Sequence, residues 1–432
     1  KLRPFELALL IVFGVLGMVA LFLLSNYDSD DGDKNQVAVR NSVEIWGTLN
    51  QDLMNKLIRD YADINEDFEK VFYKQIDPRN FDFEVINAIA DGRQPDILFI
   101  SHERLIELRD KIYSVSYDDW PERDFRNSYI DGAEVFALDD GIYGFPVMVN
   151  PLMMYWNRDM FSTAGLITPP TTWEQIVSET VPSLVQRSFN RSIIKSPIAF
   201  GTFNNVKNAY GVVSTLLLQG GSRMTYIKDE DYVVSLTSSM YDNSNPFYNA
   251  MDFYTKFGSI SNPLYSWNRT LPEDKDMFIS EDLSLYFGFA SEAKELEEKN
   301  PNLNFDMAEV PNGRDATVRR VYGRFYSFVL LKSANLNDSF AVASTLGSEN
   351  LAKTFADAFN MAPVYRSSLI GGSNDIYGQV SYKSAQVARG WLNPDLDRVE
   401  SILSDTIDDI HANRKSVSGS INDARDLIRE SY

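Results

Sequence analysis

A short segment without a single polar residue constrains the fold of this 432-residue chain more than any other feature. The segment, 97–100, reads Ile-Leu-Phe-Ile. A helical pattern ending at Gly92 precedes it, and another pattern from Leu105 to Ile112 follows it. Continuous apolar strands are typical of parallel sheets that helices cover on both faces. Because an alternating strand at 41–46 is also followed by a helical pattern, the sequence predicts an α/β fold.

Polar and aromatic residues follow both predicted strands where they end. In open α/β sheets, ligands bind beyond the carboxyl ends of the strands. This rule predicts that residues 46–50, which include Trp46 and Asn50, lie at a ligand-binding edge after the first strand. It predicts the same for residues 101–104, which include Glu103 and Arg104, after the second strand.

An uncharged apolar run from Leu7 to Leu24 is the strongest signal outside the predicted sheet. Its 18 residues cover roughly 27 Å as a helix, which is close to the thickness of a bilayer core. The sequence therefore predicts a retained transmembrane helix at 1–24, with residues 5–24 in the membrane, and a flexible acidic stalk at 25–40. A cleaved signal peptide is the alternative, although its apolar core is normally shorter and ends at small residues.

The charges on either side of this run predict its orientation. Lys1 and Arg3 precede it, and four aspartates follow it between residues 28 and 33. The positive-inside rule places the N-terminus in the cytoplasm and the bulk of the chain outside the cell membrane, as a single-pass protein.

Composition narrows the classes of function. The chain has no cysteine and two histidines, His102 and His411, so a disulfide is excluded and we expect no metal, cofactor or catalytic triad. The formal net charge of -20 argues against nucleic acid as a partner. A hydrophobic share of 44% over this length suits two folded domains.

Four regions together resemble the sugar-type extracellular solute-binding proteins related to maltose-binding protein. They lie at 94–104, at 140–174, at 199–221 and, in several pieces, at 277–328. The resemblance implies a two-lobe periplasmic-binding-protein fold of type II, the Venus-flytrap architecture, here preceded by one transmembrane helix. It divides the chain into lobe 1, at 41–149 plus 312–362, and lobe 2, at 150–311 plus 363–432. Crossovers near 149–150, 308–311 and 363–364 are the expected hinge.

The same resemblance implies a set of ligand-binding residues. Family members place an acidic residue and an arginine where Glu103 and Arg104 stand, and cleft-facing polar or aromatic residues at further positions. The full predicted set is Trp46, Asn50, Glu103, Arg104, Asn150, Asn205, Tyr210, Phe289, Tyr322, Arg324 and Tyr326. Flat aromatic side chains suit the apolar face of a pyranose, while carboxylates, amides and guanidinium groups suit its hydroxyl edge. For each single aromatic residue, plain core packing is the competing interpretation.

The function implied is capture of a saccharide between the lobes by hinge closure and delivery to the permease of an ABC importer, without catalysis. Because the predicted site contains two arginines, Arg104 and Arg324, an anionic sugar remains a possible ligand. The alternatives are a pilin-like filament subunit, a cell-surface glycan-binding adhesion protein, and a glycan-cleaving enzyme that would need two facing carboxylates. The start of the chain is similar to pilin-like helices, but Glu6 stands at the edge of the apolar run rather than inside it.

Overall fold

The computed structural model describes residue 39, residues 41–332 and residues 335–432. The predicted membrane span lies outside these residues, and so does the predicted stalk apart from Val39, which is buried in the core. Residues 39–432 form one compact unit. No helix in this described part of the chain is long and apolar enough to cross a bilayer.

Sixteen strands are described. They are β1 (Val43–Gly47), β2 (Val71–Gln75), β3 (Ile97–Ser101), β4 (Ile112–Tyr113), β5 (Ala137–Leu138), β6 (Gly141–Ile142), β7 (Phe145–Asn157), β8 (Gln186–Arg187), β9 (Ile193–Ile198), β10 (Thr225–Lys228), β11 (Asp231–Val234), β12 (Leu283–Phe289), β13 (Phe305–Ala308), β14 (Val321–Leu331), β15 (Ala362–Pro363) and β16 (Ala388–Arg389).

Seventeen α-helices surround them in the described residues. They are α1 (Gln51–Ala62), α2 (Phe81–Ala90), α3 (Leu105–Leu108), α4 (Glu122–Ser128), α5 (Arg158–Thr163), α6 (Trp173–Gln175), α7 (Val181–Leu184), α8 (Ala209–Gln219), α9 (Pro246–Lys256), α10 (Asp274–Ile279), α11 (Ala293–Lys299), α12 (Leu336–Leu346), α13 (Glu349–Ala358), α14 (Arg366–Ile370), α15 (Ile376–Val387), α16 (Leu396–His411) and α17 (Val417–Glu430). Short 3₁₀ turns include His102–Arg104 and Arg109–Lys111, and Ile176–Thr180 is a π-helical turn.

The main sheet has two sections that share strand β7. The strand order is β2-β1-β3-β14-β7-β12-β9-β8, and β4, β13, β15 and β16 pair beside this path. The first half of β7 pairs with β14, and its second half pairs with β12 and β13. We call the part that contains β1, β3 and β14 the first section, and the part that contains β9, β12 and β13 the second section. The predicted parallel pairing of β1 with β3 is confirmed.

Strand β7 corrects one sequence expectation. The Asn-Pro step at 150–151 predicts a break between two strands, but the structure has a single strand of 13 residues. Pro151 lacks a backbone N–H, so a strand tolerates it only where no ladder hydrogen bond is needed from that residue. Here it lies where β7 changes its partner from β14 to β12. The chain therefore passes between the sections without a turn.

Two further local expectations are wrong. Ile112 continues the predicted helix by spacing, but it starts β4, which pairs with β14. Residues 387–391 read as helical, but the helix ends at Val387 and β16 follows. In both cases, pairing with a distant strand decides the structure of a segment that apolar spacing alone leaves ambiguous.

Candidate functional site

The buried carboxylate of Glu103 lies at the centre of the best-connected polar cluster near the shared strands. The Tyr322 hydroxyl donates a short hydrogen bond to it, and Nε of Arg324 donates another at 3.1 Å. The Ser101 hydroxyl also donates to this carboxylate, at 3.1 Å. Burial opposes ionisation of Glu103, but the charge of Arg324 and these hydrogen bonds outweigh it and hold the pKa of the carboxyl below its ordinary value. The cluster therefore holds a desolvated ion pair.

Local structure explains why these groups meet. Glu103 follows the carboxyl end of β3, in the 3₁₀ turn at His102–Arg104. Strand β14 lies beside β3, and its residues at 322, 324 and 326 share one face because side chains alternate along a strand. The backbone N–H of Tyr322 donates to the Thr215 hydroxyl at 3.0 Å, which ties β14 to α8. Two strands and one helix thus fix the Glu103 carboxylate against its donors.

Aromatic rings form the walls around this ion pair. The guanidinium of Arg324 lies 4.3 Å from the ring centroid of Phe289, at the end of β12 in the second section. Tyr322 packs edge-on against Tyr210, with centroids 5.4 Å apart, and Tyr210 stacks on Trp391 at 6.2 Å. The structure therefore brings five of the predicted residues together, namely Glu103, Tyr210, Phe289, Tyr322 and Arg324.

Arg324 is the member of this cluster that reaches solvent. Its side chain is 29% exposed, whereas that of Glu103 is 3% exposed. The Glu103 charge outweighs burial and raises the pKa of Arg324, so the guanidinium stays protonated. Nε of Arg324 donates to Glu103, and the outer N–H groups of the fork have no hydrogen-bond partner in the part of the chain that the structure describes.

Arg104 and Tyr326 flank the cluster. Arg104 forms an ion pair with Asp82, donates to the Pro78 carbonyl at 2.8 Å, and lies 5.1 Å from the ring of Phe81. Tyr326 stacks on Phe99 with centroids 6.0 Å apart and is almost fully buried. Both side chains already have protein partners on the first section.

Four predicted residues make structural contacts elsewhere. Trp46 is buried, with Nζ of Lys74 lying 4.1 Å from its ring centroid. Asn50 caps the N-terminus of α1 by accepting a hydrogen bond from the Leu53 N–H at 2.9 Å. Neither of these contacts connects Trp46 or Asn50 to the Glu103 cluster.

The other two are amides that hold loops. Asn150 exchanges two hydrogen bonds with Ser291, at 2.8 Å and 3.1 Å, and so ties the middle of β7 to the turn after β12. Asn205 donates to the carbonyls of Asn268 and Leu271, each at 3.0 Å. Asn150 is nevertheless the ladder partner of Arg324 and lies beside the Glu103 cluster, with its amide taken by Ser291, whereas the contacts of Asn205 do not lead to the cluster.

Sequence reasoning missed a carboxylate that approaches the cluster from α16. Burial raises the pKa of Glu400 to about 7; the charges of Glu103 and Asp397 add to this, and Arg324 opposes it. Glu400 has no ion pair among the described residues. The missed signal is its position next to Val399, the buried residue that marks the core-facing side of α16. Exposed Glu107 is a further neighbour, and burial together with the charges of Asp395 and Asp397 raises its pKa.

The arrangement is suited to binding rather than to metal chemistry. The outer N–H groups of Arg324, which have no partner among the described residues, are donors suited to the hydroxyl edge of a polyhydroxylated ring. No group of three or more acidic, histidine or cysteine side chains that could hold a metal ion occurs in the part of the chain that the structure describes.

Comparison with known proteins places these observations in a family. The family model described as bacterial extracellular solute-binding protein matches residues 84–369, more than half of the chain. Binding proteins of Brucella abortus and Brucella suis are 24% identical over 125 residues. That alignment spans 26% of this chain and only 30% of the length of those curated relatives.

Solved structures of similar fold cover nearly the whole described body. The sugar-binding protein MalE from Xanthomonas citri aligns over 90% of this chain and 97% of its own, with a TM-score of 0.72 and 16% identity. A cyclo/maltodextrin-binding protein complexed with maltotetraose aligns over 90% of this chain and 96% of its own, at 0.71 and 12%. A solute-binding protein from Thermotoga lettingae bound with alpha-D-tagatose aligns over 91% and 100%, at 0.67 and 15%.

At these identities the structural likeness establishes the fold alone. The fold is the α/β two-lobe architecture that the sequence predicts. The family match covers β3, the shared strand β7, β12 and β14, and with them Glu103, Phe289 and Arg324. The chain belongs to the bacterial extracellular solute-binding proteins.

Proposed function

We propose that this protein captures a carbohydrate, in particular an oligosaccharide, at the cluster formed by Glu103, Tyr322, Arg324 and Phe289. The observation that carries the proposal is the pose of Arg324, which pairs with a buried carboxylate and lies over an aromatic ring, while its outer N–H groups have no hydrogen-bond partner among the described residues. A preorganised guanidinium loses little entropy when it binds hydroxyl oxygens. Phe289 is buried beneath the guanidinium and helps to hold it in this pose.

Relatives of the same fold support a sugar as the ligand. The aligned solved structures include one complexed with maltotetraose and one bound with tagatose. The polar cluster here has the mixture of acceptors, donors and aromatic surface that such ligands require.

The charges around the site favour a neutral saccharide over an anionic one. Arg104 is paired with Asp82, and Arg324 is paired with Glu103. Glu107, and Glu400 once the pH rises through about 7, then add negative charge without a described ion pair, which repels a carboxylate or phosphate on the ligand.

Capture proceeds by closure of two lobes around the ligand. Lobe 1 comprises 41–149 plus 312–362, and lobe 2 comprises 150–311 plus 363–432. This division is supported by the change of partners along β7, and the two lobes supply Arg324 and Phe289 respectively. A ligand that contacts both stabilises the closed state by its differential affinity, and the crossovers absorb the backbone change.

The closed complex delivers its ligand to the permease of an ABC importer, and the protein itself catalyses no reaction. An apolar helix at residues 5–24 anchors the chain as a single-pass membrane protein with its N-terminus inside. Extracellular family members support the extracytoplasmic placement of the body.

A thermal-shift measurement across mono- and oligosaccharides tests this proposal. A saccharide at about 100 times its Kd adds about 2.7 kcal/mol to the free energy of unfolding, because it binds only the folded state. We expect one saccharide class to raise Tm in the wild type, with a smaller shift in Phe289→Ala. No shift with any saccharide would contradict the proposal.

A further inference from the structure

We propose that the hydrogen bond between Arg109 and Tyr232 is a latch that holds the two lobes in the arrangement described here and breaks when the lobes move relative to each other. The inference rests on the proposed function, because Arg109 belongs to lobe 1 and Tyr232 to lobe 2 of that proposal. The latch lies outside the cluster at Glu103. It is carried by the hairpin of β10 and β11, which in the described residues forms its own two-stranded sheet.

The lobe 1 side of the latch is rigid. Nε of Arg109 donates to the Tyr143 hydroxyl at 3.1 Å, and Nη2 lies 3.1 Å from Asp139 and 2.9 Å from Asp140. Nη1 is left to donate to the Tyr232 hydroxyl at 2.8 Å. The side chain of Arg109 is 19% exposed, so these contacts are partly shielded from water. A guanidinium fixed at its other nitrogens is already oriented for one more acceptor.

The lobe 2 side is held by an aromatic stack. Tyr232 lies against Tyr432 with ring centroids 4.6 Å apart and planes 23° from parallel. The Tyr432 hydroxyl bonds to Thr225 Oγ1, on the neighbouring strand β10, at 2.8 Å and to the Leu392 carbonyl. The hairpin therefore carries the latch hydroxyl in a fixed position.

The same contacts lead to the candidate ligand site. Leu392 precedes Asn393, whose amide donates to the Tyr210 hydroxyl at 2.8 Å. Tyr210 packs on Tyr322, which donates to Glu103. A contiguous set of packed and hydrogen-bonded side chains thus connects the latch to the ligand cluster, and a two-state lobe movement would bias both ends together.

The ion pairs of Asp131 also cross between the proposed lobes, but they are less suited to this role. Asp131 pairs with Arg366 and with Arg389, each at 2.6 Å, but the Asp131 side chain is half exposed. Exposed ion pairs contribute little and are screened by salt. The partly buried bond from Arg109 to a neutral hydroxyl depends less on ionic strength.

The test is Tyr232→Phe in the full chain, which removes one hydroxyl and keeps the stack on Tyr432. Tyr226→Phe is the matched control, since it alters a tyrosine of the same hairpin that has no hydrogen bond to Arg109. Small-angle scattering of the ligand-free protein reports lobe separation. Titration with maltose, maltotriose and maltotetraose reports Kd.

Loss of the latch should change the ligand-free radius of gyration or change the Kd by about threefold to tenfold relative to the Tyr226→Phe control, because the latched arrangement becomes less populated. Arg109→Lys, which loses the planar fork, should act in the same direction and keeps the test valid if Tyr232→Phe fails to fold. Values equal to those of Tyr226→Phe in both measurements would overturn the latch. If no saccharide binds, the proposed function fails, and scattering alone decides the latch.

Discussion

Glu103 illustrates how a single residue can define a site when its neighbours are considered. A buried carboxylate is costly unless it is paired and hydrogen-bonded. Glu103 receives hydrogen bonds from Ser101, Tyr322 and Arg324, which is why it stays ionised in a buried position. In the proposed function, it holds Arg324 in place to meet the ligand.

Replacing Glu103 with glutamine should weaken both stability and saccharide binding. The substitution keeps the shape but removes the counter-charge of Arg324, so we expect a loss of about 1–3 kcal/mol in the free energy of unfolding. The Kd should rise about tenfold or more, as measured by calorimetric titration. Glu298→Gln, at an exposed position of α11, is the control and should change both quantities little. Equal effects of the two variants would show that the Glu103 ion pair does not organise the site.

The carboxyl group of Glu400 predicts that the stability of the folded protein depends on pH. Its pKa is about 7 in the folded protein, above the roughly 4.3 of an unperturbed glutamate. The folded state therefore binds the proton more tightly, and this contribution to stability is fully present below the unfolded pKa and is lost as the pH rises through about 7.

Glu400→Gln should abolish that loss. Urea unfolding at pH 5 and pH 8 is the measurement, and the variant should gain stability relative to the wild type at pH 8 and not at pH 5. Glu430→Gln, on an exposed part of α17, serves as the control. A stability difference that does not change between the two pH values would mean that burial does not perturb Glu400.

Individual residues of the site were predictable to different degrees. The family resemblance predicts Glu103, Tyr322 and Arg324 as ligand-binding residues. It places them near strand ends, where ligands bind to sheets of this kind. Glu400 was missed because it lies on a helix that reads as ordinary packing. Asn50 and Asn205 were nominated by type and position, but local backbone groups take their hydrogen bonds. No periodicity distinguishes an amide that caps a helix from one that binds a ligand.

At the scale of elements, the N-cap of α17 differs from the one that the sequence pattern suggests. Ser420 and Asp423 suggest a capping pattern, but the helix starts earlier and Ser416 accepts the hydrogen bond from the Gly419 N–H at 3.1 Å. Ser420 lies inside the helix, and its buried hydroxyl has no hydrogen-bond partner among the described residues.

Ser416→Ala should destabilise the protein, and Ser420→Ala should not. Loss of an N-cap costs about 1 kcal/mol, whereas removal of an unsatisfied buried hydroxyl is neutral or stabilising. Denaturant unfolding of the two variants measures the difference directly. A larger loss for Ser420→Ala would place the cap where the sequence pattern suggests.

Elements with a clear period were predictable, and elements decided by pairing were not. The strand at 97–100 and the helices around 340–346 and 399–410 were predicted in type. The continuity of β7 across Pro151 was not, because it depends on strands β12 and β14, which lie far away in sequence. A local pattern carries no information about those partners.

At the scale of the whole molecule, two sheet sections that share the long strand β7 are compatible with the proposed opening and closing. Arg324 and Phe289 lie on opposite sides of the change of partners along β7, so the proposed rotation of the lobes would separate them. The sequence predicted the two-lobe fold through its family resemblance. Ligand identity was not predictable, since it depends on the positions of a few side chains.

Calorimetric titration of the best saccharide into the wild type and into Arg324→Ala tests the central claim most directly. Arg187→Ala is the matched control, because Arg187 also lies over an aromatic ring, that of Tyr265, but makes no contact with the Glu103 cluster. We predict saturable binding at one site per chain, weakened at least about tenfold in Arg324→Ala and unchanged in Arg187→Ala. Equal affinity in all three proteins would contradict the assignment of this cluster as the saccharide site.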